Sequence, residues 1–431
     1  MNLAFLTPGT GSYYCGACMR DNALAKSLLA AGHHVSLLPM YLPLQLDEER
    51  LAQPETPIFF GGINVYLQQK LKWFRRSPAW IDEMLNSAGL LRAAAKRSHM
   101  TSPREHGAMT LAMLDLEHSA FGKETAKLIE WLERDRPDLV VLSNALLVGF
   151  IRPLKERLGC RVITTFQGED SFLDGLPEPF RTRCWSEMKA RLADSDLLIA
   201  PSRYYADFIR NRLDDANLDI AVMPNGVAIP NPPISNIQYP ISPPTVGYLA
   251  RMIREKGLEL LVEAFIHLRL QLRHPDARLH IAGSETEGDK ALVRELRQRL
   301  DHAGLGDHVT WSPNLDHDRK ADFFSRLTLF SVPATYHEAF GLYAIEALAA
   351  GVPLVKPRAS SFPEILETSG AGVLCEPNDP VALATAWHAL LNDDTRLATY
   401  RQNALRSARE TYSTDAMRDR FLALAQPLAS T

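Results

Sequence analysis

In His337-Glu338-Ala339-Phe340-Gly341-Leu342-Tyr343-Ala344-Ile345-Glu346, two carboxylates stand eight residues apart. Glu338 falls in a loop after an apolar run, and Glu346 about two turns into the helix that should follow. At 1.5 Å per residue the two would lie roughly 10 Å apart along the axis, a span that suits an elongated polyhydroxylated ligand with one carboxylate at each end. The helix N-terminus between them offers unpaired backbone N–H groups and the positive end of the dipole, a combination that holds phosphate. A solvated amphipathic helix would show the same spacing, so the segment needs partners before it reads as a site.

A second segment, Gly247-Tyr248-Leu249-Ala250-Arg251-Met252-Ile253-Arg254-Glu255-Lys256-Gly257, also follows an apolar run. Arg251 and Lys256, at a strand's carboxyl end, could clamp a diphosphate, the arginine through its planar fork and the lysine as a point charge. Near the start of the chain, Gly9-Thr10-Gly11-Ser12-Tyr13-Tyr14-Cys15-Gly16 lies between the first predicted strand and the first helix, where backbone can approach a ligand closely. Its glycine order departs from the dinucleotide fingerprint and no acidic residue closes the second strand near Leu38, so a nicotinamide cofactor is disfavoured. Cys15 and Cys18 have the spacing of a redox or zinc pair, yet no second cysteine pair accompanies them. They read as two unlinked thiols lining the loop, and no metal site is expected.

The elements that must position these groups are short apolar runs alternating with amphipathic segments, the mark of βα units around buried parallel strands. Strands are predicted at 3–6, 34–38, 139–142, 161–166, 197–200 and 220–223, with a first helix over about 22–31 that Gly32 ends. Prolines at 230, 232, 233, 240, 243 and 244 stop both patterns and mark a linker over 229–244. The rhythm then restarts, with strands at 245–249, 278–282, 308–311, 327–332 and 353–356 and helices at 258–270, 290–303, about 341–350 and 380–391. The expected class is α/β, with two Rossmann-like doubly wound domains, 1–228 and 245–410, facing a cleft, and a closing segment 411–431. Residues 41–135, with a hairpin-like stretch at 58–66, interrupt the first domain as an elaboration where substrate selectivity would sit.

Composition agrees with this architecture. A chain of 431 residues, 46% hydrophobic and 23% charged, is long enough for two or three domains with buried cores and is not broadly disordered. A net charge of −4, from 47 basic and 51 acidic residues, lends no support to nucleic-acid binding. The longest apolar stretch, 139–151, contains Ser143 and Asn144 and falls short of the roughly 18 residues of a spanning helix. The N-terminus reads as a first strand rather than a signal peptide, and five cysteines are too few for a disulfide scaffold, so a cytoplasmic setting is expected.

Taken together, these segments resemble the retaining glycosyltransferases of the family 4 type, the large family that includes sucrose synthase, bacterial phosphatidylinositol mannosyltransferases and many lipopolysaccharide transferases and shares the two-domain GT-B fold. The resemblance covers nearly the whole chain and is strongest over 196–379. Glu338 to Glu346 matches the E-x7-E motif, and Arg251 to Gly257 matches the Arg-x4-Lys-Gly loop. The resemblance implies a nucleoside-diphosphate-sugar co-substrate, no cofactor and no metal. It implies contact of Arg251 and Lys256 with the diphosphate and of Glu338 with the transferred sugar. Backbone amides of Phe340, Gly341 and Leu342 would meet sugar and phosphate, and Glu346 the ribose hydroxyls. Gly16 stands on the second glycine of the family's Gly-Gly pair, with Cys15 in place of the first. Pro201-Ser202-Arg203, Pro224-Asn225-Gly226-Val227 and Ser361-Phe362-Pro363-Glu364 resemble further landmarks, and 412–428 resembles the family's last helix, which crosses back onto the first domain.

In Thr164-Thr165-Phe166-Gln167-Gly168-Glu169-Asp170, where members often carry a histidine, this chain has Gln167, which hydrogen-bonds but cannot act as a base. Retaining enzymes of this fold are thought to let the departing phosphate oxygen deprotonate the acceptor on the same face. Charge stabilisation and positioning would then carry the reaction, with Gln167, Glu169 and Asp170 at the acceptor.

The function implied is transfer of a sugar from the donor to a hydroxyl of a sugar, glycan, small-molecule or lipid-linked acceptor, with retention. A nucleotide-sugar epimerase and a silent nucleotide-sugar-binding partner are the alternatives, and intact Arg251, Lys256, Glu338 and Glu346 speak against the latter. The run Lys70-Leu71-Lys72-Trp73-Phe74-Arg75-Arg76, closing with Trp80, has the composition to rest on the anionic inner face of a membrane. More often such a run is an amphipathic surface helix with its aromatics packed inward.

Overall fold

A computed structural model describes residues 1–9, 16–41, 59–60, 74, 103–229 and 241–429. Loop residues 10–15 and, apart from Phe59, Phe60 and Phe74, the stretches 58–66 and 70–80 lie outside the described residues. Contacts divide the chain into two units, one of Met1–Met223 with Arg418–Thr431 and one of Pro224–Met417.

The first unit contains strands β1 (Asn2–Thr7), β2 (His34–Pro39), β3 (Leu139–Leu142), β4 (Arg161–Thr165), β5 (Leu197–Ala200) and β6 (Ala221–Val222). They form one parallel sheet in the order β2-β1-β3-β4-β5-β6, with Leu3 opposite both Val35 and Leu139. Its described helices are α1 (Gly16–Ala30), α2 (Pro103–Leu114), α3 (Gly122–Asp135), α4 (Ile151–Leu158), α5 (Asp170–Asp174), α6 (Phe180–Leu192) and α7 (Arg203–Arg212). Helices cover both faces of such a sheet, so its central strands need no polar side: Leu3 through Leu6 and Leu139 through Leu142 are all fully buried. Phe60, from the elaboration, is buried with its ring edge-on to Phe150 at 5.0 Å and to Phe121 at 6.4 Å.

The second unit repeats the plan with β7 (Thr245–Leu249), β8 (Arg278–Gly283), β9 (Val309–Pro313), β10 (Leu329–Phe330), β11 (Leu354–Pro357) and β12 (Gly372–Cys375). These are again parallel, in the order β12-β11-β10-β7-β8-β9. The helices are α8 (Leu258–Leu270), α9 (Lys290–His302), α10 (His317–Ser325), α11 (Leu342–Ala349), α12 (Phe362–Ser369), α13 (Pro380–Leu391), α14 (Asp394–Glu410) and α15 (Thr414–Ala429). In each sheet the chain winds outward in one direction, returns to the middle and winds out in the other. The reversals fall between β1 and β3 and between β7 and β10. A crevice opens above the carboxyl ends of the strands at such a switch point, so the loops after these four strands are where a ligand is expected.

Two segments of the second unit bind each other. Val227 N donates to Tyr412 O at 2.9 Å, Thr414 N to Val227 O at 3.0 Å, and Gly226 N to the Met417 sulfur at 3.2 Å. From residue 418 onward α15 belongs to the first unit, where Phe421 is fully buried with its ring 5.9 Å from that of Phe5. Among the described residues no helix is long and apolar enough to cross a membrane.

The first helix departs from expectation. It starts at Gly16 rather than near residue 22, so Gly16 is its first residue. The early turns hold Cys18, Arg20, Asp21 and Asn22, all buried, and three polar residues on the inner face conceal the apolar period that betrays a helix. β10 is also shorter than the apolar run 327–332 suggests, because only Leu329 and Phe330 pair with the neighbouring strands.

Candidate active site

The loop after β7 closes with a 3-10 turn, Arg254–Lys256, followed by Gly257 at φ 73°. A β-carbon on Gly257 would lie 1.9 Å from Pro333 O, so only glycine lets this turn approach the strand end after β10. That approach brings Lys256 to Glu338. The Lys256 ammonium donates to Glu338 Oε2 at 2.6 Å and to the Tyr336 hydroxyl, and stands 4.7 and 5.1 Å from the ring centroids of Tyr336 and Tyr343. The same Oε2 accepts from Tyr336 at 2.8 Å and from Tyr343 at 2.7 Å, whereas Oε1 has no donor among the described residues. Burial alone would raise the Glu338 pKa, but the Lys256 charge and the three hydrogen bonds outweigh it and hold the carboxyl below the ordinary glutamate range. The result is an ionised glutamate, its side chain 12% exposed, with one oxygen locked and the other open to a ligand hydroxyl.

Arg251, in the same loop, is half exposed and has a different anchor. Its guanidinium reaches Asp289 at 3.3 and 3.4 Å, while Asp289 also accepts from Thr286 N at 2.8 Å and Thr286 Oγ1 at 2.6 Å. Asp289 is 6% exposed, and these donors keep it ionised and below its usual pKa although burial works the other way. The long contacts leave the arginine fork steered rather than fixed.

Gly341, at φ 88°, turns the chain from the Glu338 loop into α11. The loop is held from behind by the segment before α12: Ser360 Oγ accepts from Glu338 N at 3.2 Å and donates to Tyr336 O at 3.1 Å, and Ser361 Oγ donates to Phe340 O at 2.9 Å. Glu346 is the fifth residue of α11, a little over one turn in rather than two, and is 2.8 Å from Lys320 Nζ of α10.

In the first unit, Gln167, Glu169 and Asp170 follow β4 as expected, but they do different things. Glu169 is 4% exposed, and its two oxygens accept from the amides of Ala145 (2.9 Å), Gln167 (2.9 and 3.0 Å) and Gly168 (3.1 Å), with the Tyr205 hydroxyl oxygen 3.3 Å away. Asp170 is equally buried and accepts from Tyr205 at 2.6 Å. Sequence reasoning set both at the acceptor; the geometry makes Glu169 the clasp that ties the loop after β4 to the one after β3 and leaves Gln167 as the more exposed member. Burial raises the Glu169 pKa, against the lowering effect of the amides.

Beneath the first switch point lies a cluster that the sequence did not announce. Arg20 donates to Ser143 O at 3.1 Å and Thr165 Oγ1 at 3.0 Å and lies 2.8 Å from Asp21 Oδ1, with both side chains essentially unexposed. Cys18 accepts from Thr7 Oγ1 at 3.6 Å and is buried, while its expected companion Cys15 lies outside the described residues. Also missed were Tyr336, Tyr343, Asp289 and Lys320. Tyr336 and Tyr343 bracket Glu338 and could have been suspected as its donors, but nothing in the sequence ties Asp289 or Lys320 to their partners.

Known proteins share family models and a fold with this chain. Residues 104–229 match the model of Glycosyltransferase Family 4, and residues 236–407 match that of Glycosyl transferases group 1. The chain belongs to the family 4 type of glycosyltransferases. It is 32% identical over 232 residues to the D-inositol 3-phosphate glycosyltransferase of Xylanimonas cellulosilytica, a match covering 51% of this chain and 54% of that protein. The chain thus spans about half the length of the curated relatives it matches. Its fold is that of solved GT-B members. Sucrose-phosphate synthase from Thermosynechococcus elongatus aligns at a TM-score of 0.69 and 19% identity over 100% of this chain and 99% of that one. The Anabaena protein HepE in complex with UDP aligns at 0.67 and 17% over 100% of both.

Proposed function

We propose that the protein transfers a sugar from a nucleoside-diphosphate sugar to an acceptor hydroxyl with retention of anomeric configuration and without a metal ion. The observation that supports this most is the Lys256–Glu338 pair at the second switch point, with Arg251 in the same loop. Lys256 and Arg251 offer the positive charge a departing diphosphate needs, and Glu338 Oε1 offers an acceptor to a hydroxyl of the transferred sugar. The backbone amides of Phe340, Gly341 and Leu342 are read as donors to the same ligand, and Glu346 as the partner of the ribose hydroxyls. The bond from the anomeric carbon to the diphosphate oxygen breaks as the acceptor oxygen bonds on the same face, and the acceptor proton passes to that departing oxygen. No side chain is required as the base, which is compatible with Gln167 in the acceptor loop, where it would orient the acceptor by hydrogen bonding.

UDP is the first donor nucleotide to try, since HepE is described with UDP bound. The four described cysteines are free and buried, in keeping with a reducing cytoplasm. A thermal-shift panel of UDP, GDP, ADP and their sugar conjugates tests the reading. Stabilisation by one nucleotide and its conjugate, lost in Lys256→Ala, followed by a product of unchanged anomeric configuration by NMR, is the expected result. An inverted product, or no response to any nucleotide, would overturn it.

A further inference from the structure

Lys356 lies in β11 with no exposed surface, a position lysine almost never takes without a partner. Its ammonium nitrogen is enclosed by three rings, with centroids at 4.5 Å (Tyr343), 4.9 Å (Phe362) and 5.1 Å (Phe330). Among the described residues its one hydrogen-bond acceptor is Val332 O, at 3.4 Å. An ammonium has three protons to place, so one long bond leaves the charged form poorly satisfied.

Tyr343 joins this lysine to the active site. Its ring is shared by Lys356 and Lys256, and its hydroxyl donates to Glu338 Oε2. The charged and titratable groups facing Lys356 come from four elements. Glu338, in the loop after β10, favours the ammonium, and Lys256, in the 3-10 turn, opposes it. Tyr343 faces it from α11, and Cys375 of β12, whose thiol burial pushes up to about 11, donates to Lys356 O at 3.5 Å. Burial outweighs the help from Glu338 and holds the amine well below the ordinary lysine range.

A diphosphate settling on Lys256 would change that balance. It would cancel the one positive charge that opposes Lys356 and add negative charge behind it, so the caged amine would gain affinity for a proton. Once charged, the ammonium would be held by the faces of three rings. We propose that Lys356 takes up a proton from solvent when a nucleoside diphosphate binds beside Lys256, and that the resulting ammonium is a positioning group that fixes Tyr343, and through it Glu338, for the transferred sugar. This rests on the donor-site reading above. Nucleotide affinity then falls as pH rises between the proton affinities of the free and the bound protein, by at most about tenfold per pH unit.

Calorimetric titration of the whole protein with UDP, GDP and ADP, at about pH 8.5 where nucleotide phosphates are already ionised, in two buffers of different ionisation heat, counts the protons taken up. The expected result is uptake of a measurable fraction of a proton per nucleotide in the wild type, and none in Lys356→Met or Lys356→Arg, both still binding. Arginine keeps its charge at every accessible pH, so it separates proton uptake from mere filling of the cage. Binding with no buffer dependence in the wild type overturns the proposal and leaves the donor site standing, and this outcome needs no variant to fold. Uptake that survives in both variants overturns it too. If none of the three nucleotides binds the wild type, the donor-site reading falls and takes this inference with it.

Discussion

Lys256 Nζ and Glu338 Oε2, 82 residues apart in sequence, meet at 2.6 Å because the loops after β7 and β10 flank the strand reversal of the second sheet. The pair has two consequences for a ligand. Lys256 is held over the site by a charge it can share with a phosphate, and Glu338 is held ionised with its second oxygen open. Each is the other's support, so their effects on transfer should not add. Lys256→Ala and Glu338→Ala are each expected to cut kcat/KM by about 10²–10³, and the double variant to be scarcely worse than the worse single one. A double-mutant cycle on kcat/KM measures this, and losses that simply multiply would show that the two residues act independently.

Arg251 should respond differently, because its anchor Asp289 touches it through long contacts and also fastens Thr286. Replacing Asp289 by alanine frees the arginine without removing it and unties the turn before α9. The expected outcome is a several-fold rise in donor KM with a stability loss of about 1–3 kcal/mol, whereas Arg251→Ala lowers kcat as well and leaves the melting temperature nearly unchanged. Steady-state kinetics beside a melting curve separate the two.

Gly257 sets the approach on which the pair depends. Gly257→Ala faces both a positive φ and the carbonyl of Pro333, so the 3-10 turn must move and carry Lys256 with it. A destabilisation of about 2 kcal/mol or more should accompany loss of transfer comparable to that of Lys256→Ala. Full transfer in a stable Gly257→Ala protein would mean that the lysine's position is not set by this turn.

Several elements were legible to the residue: β3, β5, β7, α8 and α13 have the bounds that the apolar runs suggest. Their ends carry local signals, such as Asp379, which accepts from the amides of Val381 and Ala382 at 2.8 and 3.0 Å before Pro380 opens α13. The start of α1 was hidden because its inward side is polar, and polar residues on a buried face erase the period that sequence reading depends on. The site divides in the same way. Lys256, Arg251, Glu338 and Glu346 could be picked out because residue type and spacing are local, but their partners Asp289 and Lys320 are supplied by neighbouring strands and helices. Lys356 was invisible for the same reason, since a lysine near the end of a strand is ordinarily exposed and it is the packing of α11 and α12 over β11, together with Phe330 of β10, that encloses it.

Glu169 is buried and holds its loop, whereas Gln167, two residues before it, is more exposed and is the one proposed to meet the acceptor. Three amides point at the Glu169 oxygens, so glutamine there would turn an NH₂ group toward donors and leave them unpaired. Glu169→Gln is expected to lose about 1–3 kcal/mol, or roughly 2–4 °C in Tm per kcal/mol for a domain of this size. Its pH signature has a definite sign. Burial raises the folded-state pKa of Glu169 above the ordinary 4.5, so the folded state binds the proton more tightly than the unfolded chain. The stability this contributes is fully present below 4.5 and is lost as pH rises through the folded-state value. Other carboxylates, Glu338 and Asp289 among them, are held below their usual range and act with the opposite sign, so the readout is the difference between the melting curves of the two proteins: the stability of the wild type relative to Glu169→Gln should fall as pH rises from 4. Gln167→Ala should change those curves less than Glu169→Gln does while raising the acceptor KM, because Gln167 is the more exposed of the two and is the residue proposed to orient the acceptor. A Gln167→Ala enzyme with normal acceptor kinetics would return the whole segment to a structural turn.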